Sequence, residues 1–169
     1  MALKAGDKAP LFTLHADDTK EISLSDYSGR NLVVLFFPLA FTGTCTTEMC
    51  TMRDSLAEFN EMKTDIVAIS VDSPFTLAKF KETEKLNFPL LSDFNKEVSR
   101  QYGSLYDTFV LGMEGVSKRS AFIVDAEGII RYAEVLETPT ELPNFATIKE
   151  TLSGLYPFAI KNIIANTYV

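Results

Sequence analysis

The sequence contains only two cysteines and a single histidine among its 169 residues. Two cysteines cannot build the disulfide framework of a small secreted domain. A zinc site needs about four ligands, and the only other good candidate, His15, lies far from Cys45 and Cys50 in the sequence, so no bound metal is expected. A disulfide between the two cysteines would close too short a loop to add much stability. In a reducing compartment, such a pair indicates chemistry rather than structural support.

Positive charge and long apolar runs are also scarce. Sixteen basic residues stand against 23 acidic ones, which gives a net charge of −7 and disfavours nucleic acid or an anionic membrane as a partner. No apolar run approaches the roughly 20 residues of a membrane span, and residues 1–12 lack the continuous apolar core of a signal peptide. We therefore expect a cytoplasmic protein with neither a nucleic-acid nor a membrane partner.

Glycine and proline are few and scattered, and no stretch is repetitive or low in complexity, which excludes linkers and tandem modules. With 46% hydrophobic residues, a chain of this length can bury one full core. We predict one domain over residues 1–169, of which the apolar residues 154–169 form a C-terminal extension.

The hydrophobic pattern alternates between strands and helices. It predicts strands at 31–37, 65–71, 121–124 and 129–135, a short extended segment at 87–91, and helices at 42–62, 74–85, 96–102 and 144–155. Asp125-Ala126-Glu127-Gly128 is a hairpin signal between the last two strands. This order predicts a mixed α/β fold, with the loop 37–45 at the carboxyl end of a central strand, where sites in open α/β sheets gather.

That loop leads into the segment PLAFTGTC, which places Cys45 in or next to the first turn of a helix. Helix starts carry unpaired N–H groups and partial positive charge, which stabilise a thiolate. Thr42 stands three residues earlier, as in a capping box, so its hydroxyl is expected to reach the Cys45 amide or sulfur. From this loop alone, a buried structural cysteine explains Cys45 equally well.

The same segment resembles the Pro-x-x-x-Thr-x-x-Cys motif of the peroxiredoxins at Pro38, Thr42 and Cys45. SVDSPFTLAKF, FPLLSD and FIVDAEGIIR also resemble segments of that family, so the resemblance spans roughly residues 4–152. It implies a thioredoxin-like fold, in which helices flank a central mixed β-sheet with peroxiredoxin-type N-terminal additions. It also implies that Cys45 is the peroxidatic cysteine and that Pro38, Thr42 and one arginine complete its pocket. That arginine is expected to be Arg119, which precedes the AFIVD strand as the family's pocket arginine does.

Two charged residues of the predicted helix qualify this interpretation. Glu48 follows Cys45 by three residues and would oppose ionisation of the thiol if it acted alone. It is either an acid favoured by the helix dipole or, by the resemblance, a supporting residue that holds the pocket's hydrogen bonds. Arg53 is a weaker candidate than Arg119 for the pocket cation.

Cys50 follows Cys45 by five residues on the same predicted helix. That step rotates the side chain by about 500°, leaving the two about 140° apart around the axis and about 7.5 Å apart along it. No disulfide closes at that geometry, so a resolving Cys50 requires the first helical turns to unwind. The Cys-x-x-x-x-Cys spacing resembles the bacterioferritin comigratory proteins, in which the second cysteine resolves; the chain is also similar to the AhpE-like subgroup. The alternative is that Cys50 is an ordinary helix residue that takes no part in the reaction.

The resemblance implies a thiol-dependent peroxidase that acts on hydrogen peroxide and organic hydroperoxides. Cys45 becomes a sulfenic acid, Cys50 condenses with it, and thioredoxin or a similar dithiol reduces the disulfide, with no metal, haem or flavin cofactor. A monomer or homodimer is expected. The alternatives are a one-cysteine enzyme with an external thiol reductant, a thiol–disulfide oxidoreductase of the same fold, and a redox-sensing or holdase-like binding protein.

Overall fold

The computed structural model describes residues 2–155. Its strands, in chain order, are β1 (Thr13–Ala16), β2 (Glu21–Ser23), β3 (Asn31–Phe36), β4 (Thr64–Ser70), β5 (Leu90–Ser92), β6 (Leu105–Thr108), β7 (Glu114–Ser117), β8 (Ser120–Val124) and β9 (Ile130–Val135). Its helices are α1 (Gly43–Glu61), α2 (Pro74–Glu84), α3 (Glu97–Gln101) and α4 (Phe145–Leu155), and two 3-10 turns occupy Leu24–Tyr27 and Val110–Gly112.

Seven of the strands form one mixed sheet in the order β2-β1-β5-β4-β3-β8-β9, while β6 and β7 pair separately. The three central strands β3, β4 and β5 are parallel, and the outer ones pair antiparallel. Parallel neighbours place their carboxyl ends at the same edge of the sheet, so the loops that follow β3 and β4 lie side by side. This architecture confirms the predicted thioredoxin-like mixed sheet.

The central strand β3 is buried on both faces. Val33 and Leu35 pack into a cluster with buried residues of α1, α2 and α4, while Val34 and Phe36 point to the opposite face, where they pack with Tyr102. Side chains alternate between the two faces of a strand, so a strand covered on both sides must be apolar at every position. The unbroken apolar run of β3 follows from this placement.

The first turns of helix α1 are rich in threonine, whereas its later turns are not. The hydroxyls of Thr46, Thr47 and Thr51 each donate to the carbonyl four residues earlier, at 2.8, 3.1 and 2.8 Å. Threonine is a weak helix former, and this bonding pattern slightly destabilises and bends a helix. The later turns bury Met52 and Phe59 in the core. The first turns therefore rely on side-chain contacts with the rest of the fold.

Two predicted helix boundaries have the expected geometry. Pro74 occupies the first turn of α2, and the Ser73 hydroxyl accepts from the Thr76 amide over 3.2 Å as its N-cap. The segment after α3 turns at Gly103, whose φ of +67° is readily available to glycine. Both features confirm that local turn chemistry fixes where these helices begin and end.

All of the predicted elements are present, with bounds that differ by one residue at most, except that β5 begins three residues later than its predicted segment. The pattern missed β1, β2, β6 and β7, which are three or four residues long and largely half-exposed or exposed. The predicted extension at 154–169 lies outside the described residues, apart from its first two, which end α4. Among residues 2–155, no helix is long and apolar enough to cross a membrane.

Candidate active site

Cys45 lies where the central strand passes into α1. β3 ends at Phe36, and after the intervening loop Cys45 is the third residue of the helix. Its side chain is 1% exposed and belongs to the buried stripe that includes Met49. The first turn of a helix has backbone N–H groups without partners inside the helix. The thiol is therefore at the predicted place, at the carboxyl end of β3 and in a helix's first turn.

A buried arginine meets this thiol from the neighbouring strand. β3 and β8 pair antiparallel with Phe36 opposite Ser120, so Arg119, directly before β8, lies beside the loop that follows β3. Its Nη2 donates to the Cys45 Sγ over 3.3 Å, and its side chain is also 1% exposed. A guanidinium stays charged at any working pH, and hydrogen bonds from a charged donor are the strong ones. The contact therefore places a buried cationic hydrogen-bond donor directly on the Cys45 sulfur.

The remaining donors of Arg119 fix the orientation of its guanidinium. Nη1 forms a short hydrogen bond with Glu48 Oε2, and Nη2 also donates to the Pro139 carbonyl at 2.9 Å. Glu48 is fully buried one helical turn beyond Cys45. Within the described part of the chain, Glu48 Oε1 and Arg119 Nε have no hydrogen-bond partner. Glu48 thus contacts the arginine that binds the sulfur, which is the arrangement expected of a supporting residue.

Burial also controls the charge of Glu48. Removal from water raises the pKa of Glu48 to about 7, although the Arg119 charge and hydrogen bond oppose this shift and Glu134 adds to it. Burial by itself lowers the pKa of Arg119, but Glu48 and Cys45 raise it, and their effect is the larger. Near neutral pH, Glu48 therefore only partly neutralises Arg119. The guanidinium beside Cys45 therefore keeps part of its positive charge uncompensated, although an acid lies three residues away.

The structure corrects the predicted role of the Thr42 hydroxyl. Thr42 is the N-cap residue of α1, but its side chain makes no capping hydrogen bond and instead donates to the Leu39 carbonyl over 2.9 Å. The prediction that it reaches the Cys45 amide or sulfur is therefore wrong. The hydroxyl closes a turn within its own loop, which Pro38 begins as a buried residue of fixed φ.

Asp72, which no sequence motif marked as a site residue, binds this loop through its carboxylate. Asp72 follows β4, and its Oδ2 accepts from the Ala40 amide at 2.9 Å and from the Ser70 hydroxyl at 2.6 Å. Phe41, which follows Ala40 in this loop, has a φ of +67°, which is uncommon for a bulky side chain. An aspartate just past the carboxyl end of a parallel strand next to β3 was the available signal. Asp72 therefore positions the backbone between Pro38 and Thr42.

We expect Asp72→Ala to lower the rate constant for the reaction of Cys45 with hydrogen peroxide by up to about tenfold, because the Ala40 amide loses its acceptor and a hydrogen bond contributes roughly 0.5–1.5 kcal/mol. Asp72→Asn should remain close to wild type, since one amide oxygen can accept from both Ala40 and Ser70. Stopped-flow measurements over a range of peroxide concentrations compare the two. Equal losses in both variants, or no loss in Asp72→Ala, would contradict this role.

Cys50 and Arg53 lie on another side of α1, away from the pocket. The Cys50 Sγ is half-buried and 3.6 Å from Glu84 Oε2, whereas Arg53 donates to Asp54 and to the Glu84 carbonyl. Arg53 therefore does not join the Cys45 site, which leaves Arg119 as the arginine beside the thiol. Both cysteines are free thiols within one continuous helix. In this state, Cys45 and Cys50 cannot form a disulfide.

The chain is similar to known proteins over most of its length. Residues 5–133 match the model of the AhpC/TSA family. Peroxiredoxin Bcp of Escherichia coli K12 is 39% identical over 132 residues, which cover 77% of this chain and 84% of that protein. The crystal structure of peroxidoxin BcpB from Mycobacterium tuberculosis has a TM-score of 0.80 at 30% identity, covering 90% and 97% of the two chains. A peroxiredoxin-like protein from Aquifex aeolicus has a TM-score of 0.83 at 27% identity, covering 92% and 89%.

Proposed function

Because this chain belongs to the AhpC/TSA family, it is a thiol-dependent peroxidase, and we propose that Cys45 is the sulfur that attacks the peroxide. The observation that carries this assignment is the buried contact of 3.3 Å between Arg119 Nη2 and Cys45 Sγ. A buried cationic donor on a sulfur in a helix's first turn is the environment that stabilises a thiolate. Cys50 has a carboxylate as its neighbour instead.

In the proposed reaction, the Cys45 thiolate attacks one peroxide oxygen and forms an S–O bond as the O–O bond breaks. The electron pair of that bond leaves on the second oxygen, which departs as water or an alcohol after protonation. The sulfur retains the first oxygen as a sulfenic acid. Arg119 donates to the charge that develops in this step, and Glu48 and the Pro139 carbonyl hold its guanidinium in place.

Thr42 and Pro38 define the loop side of the proposed pocket. Since the Thr42 hydroxyl gives its proton to the Leu39 carbonyl, its oxygen is left to accept a hydrogen bond from the O–H of a hydroperoxide. Pro38 restricts the backbone at the base of the loop. Arg119 as donor and Thr42 as acceptor would then orient the peroxide from two directions.

We assign the second half of the cycle to Cys50 as the resolving cysteine. Its approach to the sulfenic acid requires the first turns of α1 to unwind. Four of the eight residues from Gly43 to Cys50 are glycine or threonine, which disfavour a helix by roughly 0.6–1 kcal/mol per residue relative to alanine, so unwinding loses little intrinsic helix stability. The disulfide would then be reduced by thioredoxin or a similar dithiol, in a cycle that needs no metal or organic cofactor.

Stoichiometric oxidation of the reduced protein tests this function. After one equivalent of hydrogen peroxide, the wild type is expected to lose two hydrogens in intact mass, which marks an internal disulfide. Cys50→Ser is expected to consume the same equivalent at an unchanged rate but to gain one oxygen, because its sulfenic acid has no resolving partner. Its steady-state turnover with thioredoxin should then fall sharply.

A wild type that gains oxygen and forms no disulfide would assign the chain to the one-cysteine enzymes, which an external thiol reduces. In that case, turnover should depend on a small thiol rather than on thioredoxin, and Cys50→Ser should behave like the wild type in every assay. We further propose that the protein is cytoplasmic, since the cycle depends on a dithiol donor of the kind that a reducing compartment maintains. A monomer or a homodimer is compatible with this cycle.

A further inference from the structure

The contact between Cys50 and Glu84 lies outside the peroxide pocket and joins two helices. Cys50 is half-buried on α1, and Glu84 is the last residue of α2. The distance of 3.6 Å between Cys50 Sγ and Glu84 Oε2 is that of a thiol donating to a carboxylate. A thiolate could not donate in this way and would face a like charge. The folded helix therefore holds Cys50 in its protonated form.

The backbone of Glu84 is hydrogen-bonded to the part of α1 that follows Cys50. Arg53 Nη1 donates to the Glu84 carbonyl at 2.6 Å, and the Asn87 side-chain amide donates to the Arg53 carbonyl at 3.2 Å. These bonds connect the end of α2 to α1 one turn after the second cysteine. Both bonds lie beyond the turns between Cys45 and Cys50, so unwinding of those turns does not by itself require them to break. Glu84 is therefore a fixed acceptor that Cys50 must leave before it can reach Cys45.

We propose that Glu84 is a positioning residue for the resolving step, which holds Cys50 as a thiol in the helix and so delays disulfide formation. This inference rests on the proposed resolving role of Cys50. In that step, the Cys50 sulfur forms an S–S bond with the Cys45 sulfur and the S–O bond of the sulfenic acid breaks. The hydroxyl leaves as water with the proton of the Cys50 thiol, so the thiol sulfur is oxidised and the sulfenic sulfur is reduced.

The electrostatics of Cys50 act in the same direction. Burial raises the pKa of the Cys50 thiol, Arg53 lowers it, and the hydrogen bond and charge of Glu84 raise it together with Asp54. Disulfide formation proceeds through the thiolate, so a raised pKa slows the attack. Helix contact and protonation state thus both prolong the lifetime of the sulfenic acid, during which an external thiol or a second peroxide can reach it.

The test compares Glu84→Gln with Glu82→Gln, a matched change on an exposed residue of the same helix that pairs with Lys79. After one equivalent of hydrogen peroxide, we expect the disulfide to form roughly fivefold faster in Glu84→Gln, since the amide oxygen is a weaker acceptor for the Cys50 thiol than the carboxylate and carries no negative charge. Glu82→Gln should match the wild type. In a Cys45→Ser background, the pH midpoint for alkylation of Cys50 should move to lower pH with Glu84→Gln and stay unchanged with Glu82→Gln.

The outcomes separate the two proposals. If the wild type forms the disulfide but Glu84→Gln forms it no faster, or the alkylation midpoint does not move, the role of Glu84 is overturned while Cys50 remains the resolving cysteine. If the wild type forms no internal disulfide, both proposals are overturned together. Slower disulfide formation in Glu84→Gln also rejects the delay, because Glu84 would then assist the resolving thiol.

Discussion

Cys45→Ser is expected to abolish peroxide reduction, with a decrease of at least about 10³-fold in the second-order rate constant. A serine hydroxyl remains protonated at neutral pH and is a far weaker nucleophile than a thiolate. The fold should persist, because serine is close to cysteine in size and its oxygen can accept the hydrogen bond from Arg119 Nη2. Peroxide consumption by stopped flow and the thermal midpoint, measured on the same preparation, provide both readouts.

Cys50→Ser is the matched control for this experiment, since it removes the other thiol of the same helix. It should retain the first turnover at the wild-type rate. Retained peroxide reduction in Cys45→Ser, together with its loss in Cys50→Ser, would exchange the roles of the two cysteines and contradict the proposed mechanism. Loss in both variants would show instead that the reaction depends on α1 as a whole.

Arg119→Lys is expected to lower the rate constant with hydrogen peroxide by about 10²–10³-fold, the usual effect of removing one positioned donor. Lysine keeps the positive charge, so a lower rate constant measures the importance of the donor geometry of the guanidinium. One guanidinium serves the Cys45 sulfur, the Glu48 carboxylate and the Pro139 carbonyl at once, and a single ammonium cannot reproduce that fork. Stopped-flow rates measured well below the thermal midpoint of the variant isolate the effect on the reaction.

Glu48→Gln is the companion variant, because it neutralises the partner of Arg119 while the contact with Cys45 remains possible. Since burial raises the pKa of Glu48 to about 7, the wild type holds this acid protonated below that pH and ionised above it. The rates of Glu48→Gln and wild type should therefore converge below about pH 7 and diverge above it.

For Arg119→Lys, a rate constant equal to that of the wild type at every pH would exclude the arginine from the mechanism.

The sequence was most informative where one local rule decides the structure. The apolar run of β3 predicts a doubly covered strand, and Pro74 and Gly103 set helix boundaries through backbone geometry alone. The spacing of Pro38, Thr42 and Cys45 predicts a loop and a helix start in the right order. Each of these features depends on neighbouring residues, so it can be inferred before the fold is known.

The remaining features depend on contacts between distant segments. Asp72 reaches Ala40 across 32 positions in sequence, and Glu84 reaches Cys50 across 34. The sequence alone gives no reason to pair them, because both aspartate and glutamate are common at loop and helix surfaces. The Thr42 prediction was wrong for a local reason: a threonine hydroxyl at a helix start can accept from a backbone amide of the first turn or donate to a nearby carbonyl, and this one donates to the Leu39 carbonyl.

Because threonines with weak helix propensity are concentrated in the first turns of α1, we expect this continuous helix to open as two cooperative units. Its N-terminal turns have weak local propensity and combine the buried Met49 with contacts to Arg119 and Glu84, whereas its later turns bury Met52 and Phe59 in the core. Amide hydrogens in the two halves should then exchange with solvent through different openings, local for the first and near-global for the second. Chemistry at one sulfur atom would thus alter the lifetime of backbone hydrogen bonds over two turns while the rest of the same helix retains its protection.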